Sequence, residues 1–228
     1  MKKILIASGD SYTDPDFKSM PHPEMDCSWP MWPEILAKKL GMEYINLGKS
    51  GQGQEYIFSS LIDYIISMPE KDYNRIGLVI PAWSRSQRSD CQVDWLEPQW
   101  VSMKWSRHGD VYYFVRKTLR YWFNIQVFCE NYNLPLKQVQ MLNSLRFKDF
   151  EVPDFYRHSM PDIRKIHHVF TSSPYFEKIK KENFISWPEN EMGAVCDILK
   201  QKHTISELDL HPNKLGQEVI ADYIYENL

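Results

Sequence analysis

Three short segments of the 228-residue chain hold residue types able to do nucleophilic chemistry. The first is Gly9-Asp10-Ser11-Tyr12-Thr13, directly after an apolar run. A serine at the C-terminal end of a parallel strand projects into the crevice where open α/β sheets bind ligands. Gly9 permits a tight turn there, and Ser11 can then offer both its hydroxyl and its backbone N–H to a substrate. Gly-Asp-Ser is also ordinary turn chemistry. The second segment is Asn46-Leu47-Gly48-Lys49-Ser50-Gly51-Gln52-Gly53. A glycine-rich turn at that edge can aim a backbone N–H into the same crevice, as an oxyanion hole requires. Read alone, it is equally a phosphate-binding loop or a bare strand-to-helix connection, although it fits neither GxxxxGK[ST] nor a dinucleotide fingerprint. The third is Asp209-Leu210-His211-Pro212-Asn213. Histidine is a suitable base for an alcohol nucleophile when a carboxylate holds its other ring nitrogen. A His-Pro pair before a helix also occurs as simple capping. For one working site, His211 Nε2 must lie within about 3.5 Å of Ser11 Oγ, with Asp209 facing the opposite nitrogen.

Bringing three such distant segments together requires a sheet. Residues 3–8 (KILIAS) form a nearly continuous apolar run, as expected of a parallel strand buried on both faces. A helix follows over 30–40, with Pro33 in its first turn, Ile35, Leu36 and Leu40 on one face and Gly41 as its stop. Met42–Leu47 reads as a strand. Gln54–Met68 reads as a helix, with Ile57, Leu61 and Ile65 in register and Pro69 ending it. Arg75–Ala82 is a third buried strand. This alternation predicts an α/β fold with a parallel sheet and right-handed crossovers. Residues 84–165 show no clear βα unit. They hold a polar loop with Trp95, Trp100 and Trp105, a long helix near 110–131 and a second helical stretch near 135–148. We read them as a large, mostly helical insertion within one domain spanning 1–228, acting as a lid or interaction surface. Ile166–Thr171 is expected to be a fourth strand, and 173–205 irregular with some helix. Lys214–Leu228 is a closing helix, with Leu215, Val219, Ile220 and Tyr223 inward and Asn213 as N-cap.

Composition narrows the function classes. Hydrophobic residues at 43% and charged residues at 25% are ordinary for one globular α/β domain of this length. A net charge of -3 gives no basic signal, which argues against a nucleic-acid partner. Cys27, Cys91, Cys129 and Cys196 are widely spaced with no CxxC pair, so free thiols are expected rather than a zinc or redox site, and no metal or cofactor is called for. No stretch is long enough to cross a membrane, and Ile4–Ala7 is too short for a signal peptide. The expectation is a protein of the cytoplasm or of a virion. Eight Trp, 13 Tyr and 11 Phe imply a large aromatic core, or rings lining a ligand cleft or a protein-partner or self-association surface.

Taken in order, serine after strand one, glycine turn after strand two and Asp/His before the last helix resemble blocks I, II and V of the SGNH/GDSL hydrolases. The resemblance covers about residues 1–84, 166–172 and 205–228. It implies a three-layer α/β/α, flavodoxin-like domain. It also implies Ser11 as nucleophile, His211 as general base and Asp209 as the acid orienting it, with the Ser11 and Gly51 N–H groups as oxyanion donors. The implied reaction is attack of Ser11 on an ester carbonyl, followed by hydrolysis of the acyl-serine. The chain is also similar to SGNH-like proteins of phage genomes, which implies host surface glycans as targets or a place in a virion.

Two departures stand out. The family's block III asparagine donates to the oxyanion, whereas here the stretch after strand three is Ala82-Trp83-Ser84-Arg85. Ser84 through its hydroxyl, or Arg85, are the candidate replacements, and Asp10 is a further candidate for substrate contact. Losing one such donor costs on the order of 10²–10³ in turnover. The spacing is Asp-x-His where most members have Asp-x-x-His, with Glu207 as an alternative orienting acid; the shorter spacing resembles enzymes that move acetyl groups on polysaccharides. Arg85 and Arg88 suit an acidic group on a substrate or plain solvation, and the three tryptophans suit stacking on sugars or packing of the insertion. His167 and His168 are adjacent and, on a strand, face opposite ways, which argues against a metal pair; His108 and His158 lack ligand spacing. The leading expectation is an esterase acting on a small-molecule or polysaccharide O-acyl or O-acetyl ester. A degenerate domain with a glycan-binding or structural role and an O-acyltransferase are the alternatives.

Overall fold

The computed structural model describes residues 2–93, 99–103, 111–144, 163–187 and 194–228. Strand β1 (Ile4–Ser8) is followed by helix α1 (Trp32–Leu40), β2 (Glu43–Asn46), α2 (Gln54–Ser67) and β3 (Ile76–Trp83). A hairpin of β4 (Ser89–Val93) and β5 (Gln99–Met103) precedes α3 (Val111–Asn131), β6 (Gln138–Gln140), α4 (Ile163–Thr171), β7 (Phe184–Ile185) and α5 (Lys214–Glu226). The main sheet has the order β2-β1-β3-β6-β7 with every pairing parallel. The chain therefore steps outward from β1 to β2 and then crosses back to β3 on the other side. That reversal opens a crevice at the C-terminal ends of β1 and β3, where ligands bind in open α/β sheets.

Side-chain alternation along β1 divides the core. Ile4 and Ile6 face α2 and α3, packing with Ile57, Leu61, Leu119 and Trp122. Leu5 and Ala7 face α1 and α5, packing with Trp32, Leu36, Ile220 and Ile224. A bulge pairs Ile4 with Ile76 but Leu5 with Leu78, so Gly77 is the extra residue. Without it, Ile76 and Leu78 would share a face; with it, Ile76 joins the first core and Leu78 the second. The result is the expected three-layer α/β/α fold. Helix α1 ends as expected, with Gly41 at φ 67°.

The second half departs from the expectations. Residues 138–140 are a strand of the main sheet, within a stretch expected to be helical, and α3 is the crossover joining β3 to β6. Region 84–165 thus contains a βα unit. Gln138 and Gln140 conceal it because their buried amides replace the usual apolar side chains. Trp83 Nε1 donates to Gln138 Oε1 at 2.9 Å, and Gln138 Nε2 donates to the Trp122 carbonyl at 3.1 Å. Ile166–Thr171 is helical, not a strand. Phe170 is buried there while His167 and His168 are exposed, the one-sided pattern of a helix lying on a core. In α5 the buried residues are Gly216, Gln217, Ile220, Ala221 and Ile224, while Leu215 is exposed, so the inner face is turned by about one residue. Residues 145–148, Trp95, Trp105, His108 and His158 lie outside the described residues. Trp100 packs edge-on against Tyr56 at 5.4 Å. Among the described residues, no helix is long and apolar enough to cross a membrane, and all four cysteines are free.

Candidate active site

Ser11 stands one turn beyond β1, held by Asp10. The Asp10 carbonyl accepts from Thr13 N at 2.8 Å and Asp14 N at 3.0 Å, and its Oδ1 accepts from Tyr12 N at 3.1 Å. Gly9 is required by close approach, since a Cβ there would lie 2.2 Å from Thr13 Oγ1. The second loop is bound to the first. Lys49 N donates to the Gly9 carbonyl at 3.0 Å, Asn46 Nδ2 to the Thr13 carbonyl at 2.7 Å, and Ser50 N to Asp14 Oδ2 at 2.8 Å. Gly51 follows at φ 79°, a conformation that favours glycine. Within the described residues, neither the Ser11 N–H nor the Gly51 N–H donates to another group of the chain.

His211 comes to Ser11 from the far end of the chain. Its Nε2 lies 2.8 Å from Ser11 Oγ, and its Nδ1 lies 2.5 Å from Asp209 Oδ1. An N–H on Nδ1 donating to Asp209 leaves Nε2 to accept the Ser11 hydroxyl proton. Asp209 Oδ1 also accepts the His211 backbone N–H at 3.1 Å, which the two-residue spacing permits. Asp209 is 4% exposed. Burial alone would raise its carboxyl, but hydrogen bonds from Ser19 and His211, together with the facing imidazole, hold it below the usual carboxylate range. The ring lies between Phe17 and Tyr12, with centroids 4.6 and 5.2 Å away. Behind it, Asn213 caps α5 by accepting from Gly216 N at 3.0 Å, and its Nδ2 holds the Thr204 carbonyl at 2.8 Å. Gln217 links the two halves: its Nε2 donates to the Tyr12 carbonyl at 3.3 Å, and its Oε1 accepts from Trp32 N at 2.9 Å.

The wall opposite His211 differs from expectation. Ser84 is fully buried, and its hydroxyl donates to Asp10 Oδ2 at 2.7 Å, so its one proton is already committed. Asp10 is also fully buried; Arg88 Nη1 donates to the same Oδ2 at 2.8 Å. Through these bonds both residues brace the turn that carries Ser11. Arg85 is half-buried, and burial pushes the nearby Tyr12 and Cys196 side chains well up in pKa, with the Arg85 charge opposing only in small part. Beyond burial, Asp197 and Asp10 raise the Cys196 thiol further, so it is no rival nucleophile. Glu207 is exposed and accepts from Gln201 Nε2, away from the ring.

Sequence reasoning missed Ser19 and Phe17 altogether, because nothing in their local sequence marks them as partners of a residue 190 positions away. Ser19 Oγ donates to Asp209 Oδ2 at 2.5 Å, and its own Oγ accepts from His22 N at 3.1 Å. Among the described residues, no group of His, Cys, Asp or Glu side chains is arranged to hold a metal ion.

The fold is that of the SGNH hydrolases. A putative lipolytic protein of the G-D-S-L family from Desulfitobacterium hafniense DCB-2 superposes with a TM-score of 0.51 at 13% identity, covering 99% of each chain. A lipase from a goat rumen metagenome gives 0.53 at 13% identity over 99% of this chain and 97% of its own. An acetyl xylan esterase gives 0.50 at 13% identity over 99% of both. No protein family matches by sequence, and no curated protein is similar at a significant level.

Proposed function

We propose that the protein is a serine ester hydrolase working through an acyl-serine on Ser11, with a carbohydrate O-acyl or O-acetyl ester as substrate. The observation that carries the reading is the unbroken hydrogen-bonded chain from Ser11 Oγ through His211 to Asp209. As Ser11 Oγ attacks the ester carbonyl, His211 Nε2 takes its proton, and Asp209 stabilises the imidazolium without itself being protonated. The carbonyl oxygen becomes an oxyanion facing the uncommitted N–H groups of Ser11 and Gly51. His211 then gives its proton to the departing alkoxide. In the second half it draws a proton from water, which attacks the acyl-serine and releases the acid.

The sugar preference rests on the chemistry of the opposite wall. Beside Arg85 and Arg88, the side chains of Gln52 and Gln87 are nine-tenths buried, and Gln52 Oε1 and both Gln87 amide atoms have no hydrogen-bond partner among the described residues. Such groups suit a hydroxyl-rich ligand better than an acyl chain. An acetyl xylan esterase is among the proteins of the same fold.

Treating wild type and Ser11→Ala with a fluorophosphonate probe and an aryl acetate tests the reaction. Labelling should fall to zero with the variant, and kcat should drop about 10⁶-fold. A wild type that is neither labelled nor active between about pH 6 and 9, where a histidine base is neutral, would instead be a non-catalytic glycan-binding domain. For the substrate, kcat/KM on an acetylated xylo-oligosaccharide should exceed that on a long-chain acyl ester; the reverse order removes the sugar assignment.

A further inference from the structure

We propose that Arg88 is the third oxyanion donor, a charged replacement for the asparagine that this chain lacks after β3. The inference rests on the esterase reading and concerns the same site. Its basis is a juxtaposition. Arg88 Nη1 donates to Asp10 Oδ2 at 2.8 Å and to the Gln52 carbonyl at 3.1 Å. Asp10 is the residue before Ser11, and Gln52 is the residue after Gly51. The guanidinium thus ties together the two loops that present the Ser11 and Gly51 N–H groups.

The Ser84 hydroxyl, one of the two replacements the sequence suggests, is already used. The Ser84 hydroxyl proton is held by Asp10, and the Ser84 carbonyl accepts from Gln54 Nε2 at 2.7 Å and Ser144 Oγ at 3.0 Å. Arg88 keeps donors in reserve: only Nη1 is engaged, and its Nε and Nη2 N–H groups bond to none of the described residues. The side chain remains 29% exposed while its partner Asp10 is sealed at 0%. The guanidinium therefore has a buried edge on Asp10 and a free edge toward solvent. Asp10 serves as its anchor, in the way that a ligand-binding arginine is commonly fixed by a buried carboxylate.

The chemistry fits the role. A guanidinium N–H to a developing oxyanion is a charge-assisted bond, roughly twice as strong as that from a neutral amide. A guanidinium carries its positive charge at every working pH. Asp10 neutralises it in the ground state, so the substrate's neutral carbonyl gains little from it. The oxyanion gains much more, which is the difference that raises kcat.

Removing Arg88 alone would strand the Asp10 carboxylate in the interior and can unfold the protein. The test therefore compares Asp10→Asn, in which an amide oxygen and the Gln52 carbonyl still accept from Arg88 Nη1 and the guanidinium keeps its solvent edge, with Asp10→Asn/Arg88→Met, in which neither charge remains. Both are assayed as full chains with an aryl acetate, by thermal melting, and by binding of a boronic acid that forms a tetrahedral adduct on Ser11. The two proteins should melt together, while the double variant loses about 10²–10³ in kcat with KM changed only a few-fold. Boronate affinity should weaken in parallel. A double variant within about threefold of Asp10→Asn in both kcat and boronate affinity, against the loss one oxyanion donor causes, would overturn the proposal and leave Arg88 as the counter-ion of Asp10. If wild type is neither labelled at Ser11 nor active, the esterase reading itself fails and takes this one with it.

Discussion

Two buried carboxylates stand on opposite sides of the nucleophile turn, and their surroundings treat them in opposite ways. Asp209 is 4% exposed and Asp90 is 2% exposed, so desolvation weighs on both. Asp209 receives Ser19 Oγ–H, the His211 backbone N–H and the imidazole, and its carboxyl is held below the usual range. Asp90 sits on β4 with Oδ2 on the Tyr56 N–H in the first turn of α2, and burial pushes its carboxyl up to about 6. Tyr56 N–H and the nearby Lys117 offset that only in part, and Glu55 adds to it. The difference teaches where the molecule is finished in advance. On the His211 side an unbroken chain of hydrogen bonds runs from Ser11 through His211 and Asp209 to Ser19. On the β4 side buried polar atoms of Gln52, Gln54 and Gln87 have no hydrogen-bond partner among the described residues.

The most severe way to break the contrast is to spoil the finished side. Asp209→Asn keeps the volume but offers His211 a neutral amide, so the ring loses both its tautomer preference and the charge that supports its imidazolium. We expect kcat to fall about 10⁴-fold, with fluorophosphonate labelling of Ser11 slowed in parallel. An Asp209→Asn enzyme within tenfold of wild type would remove Asp209 from the relay.

Asp90 makes the complementary prediction, in stability rather than rate. Its folded pKa of about 6 exceeds the unfolded value of 3.8, so between those values the folded state binds more protons. Its contribution is fully present below pH 3.8 and is lost as pH rises through 6. The sum is about 3 kcal/mol. Chemical denaturation from pH 4.5 to 7 should show wild type losing stability relative to Asp90→Asn, whose amide cannot ionise; parallel curves for the two proteins would contradict it. Asp209 has the opposite sign: its depressed carboxyl adds stability above its unfolded pKa and loses it as pH falls through the folded one, below Asp90's window.

Sequence patterns were readable where local chemistry decides the outcome. The first three strands and two helices follow from apolar runs and punctuation by Pro33, Gly41 and Pro69. Ser11 and His211 each stand beside a turn signal, and Asp209 is two residues from its ring. Strand β6 was hidden because Gln138 and Gln140 look polar until Trp83, Trp122 and Ser186 supply their partners from elsewhere. Ile166–Thr171 misled because a six-residue window cannot separate a buried strand from the last turns of a helix. The role of Ser84 could not be read for a similar reason: a hydroxyl's partner is a tertiary fact, and this one lies 74 residues away. Arg88 was readable as a charge suited to an acidic substrate group or to plain solvation, while its bond to Asp10 is again a tertiary fact.

The smallest expected effect probes how far the finished side depends on its outermost member. Ser19 lies in the long excursion between β1 and α1, and its hydroxyl is the donor to Asp209 Oδ2. Ser19→Ala removes a bond to a charged group, about 1.5 kcal/mol or more, and should lower kcat roughly tenfold. KM should scarcely move, because Ser19 is screened from substrate by Asp209. The pH profile separates positioning from mere stability. With one donor gone, the Asp209 carboxylate is less neutralised and draws more strongly on the imidazolium, so the acid limb of kcat/KM shifts to higher pH. Ser19→Thr keeps the hydroxyl and should restore both kcat and the limb. An alanine variant that loses melting temperature but keeps the wild-type limb would place Ser19 in the loop's packing alone, and the relay would then end at Asp209.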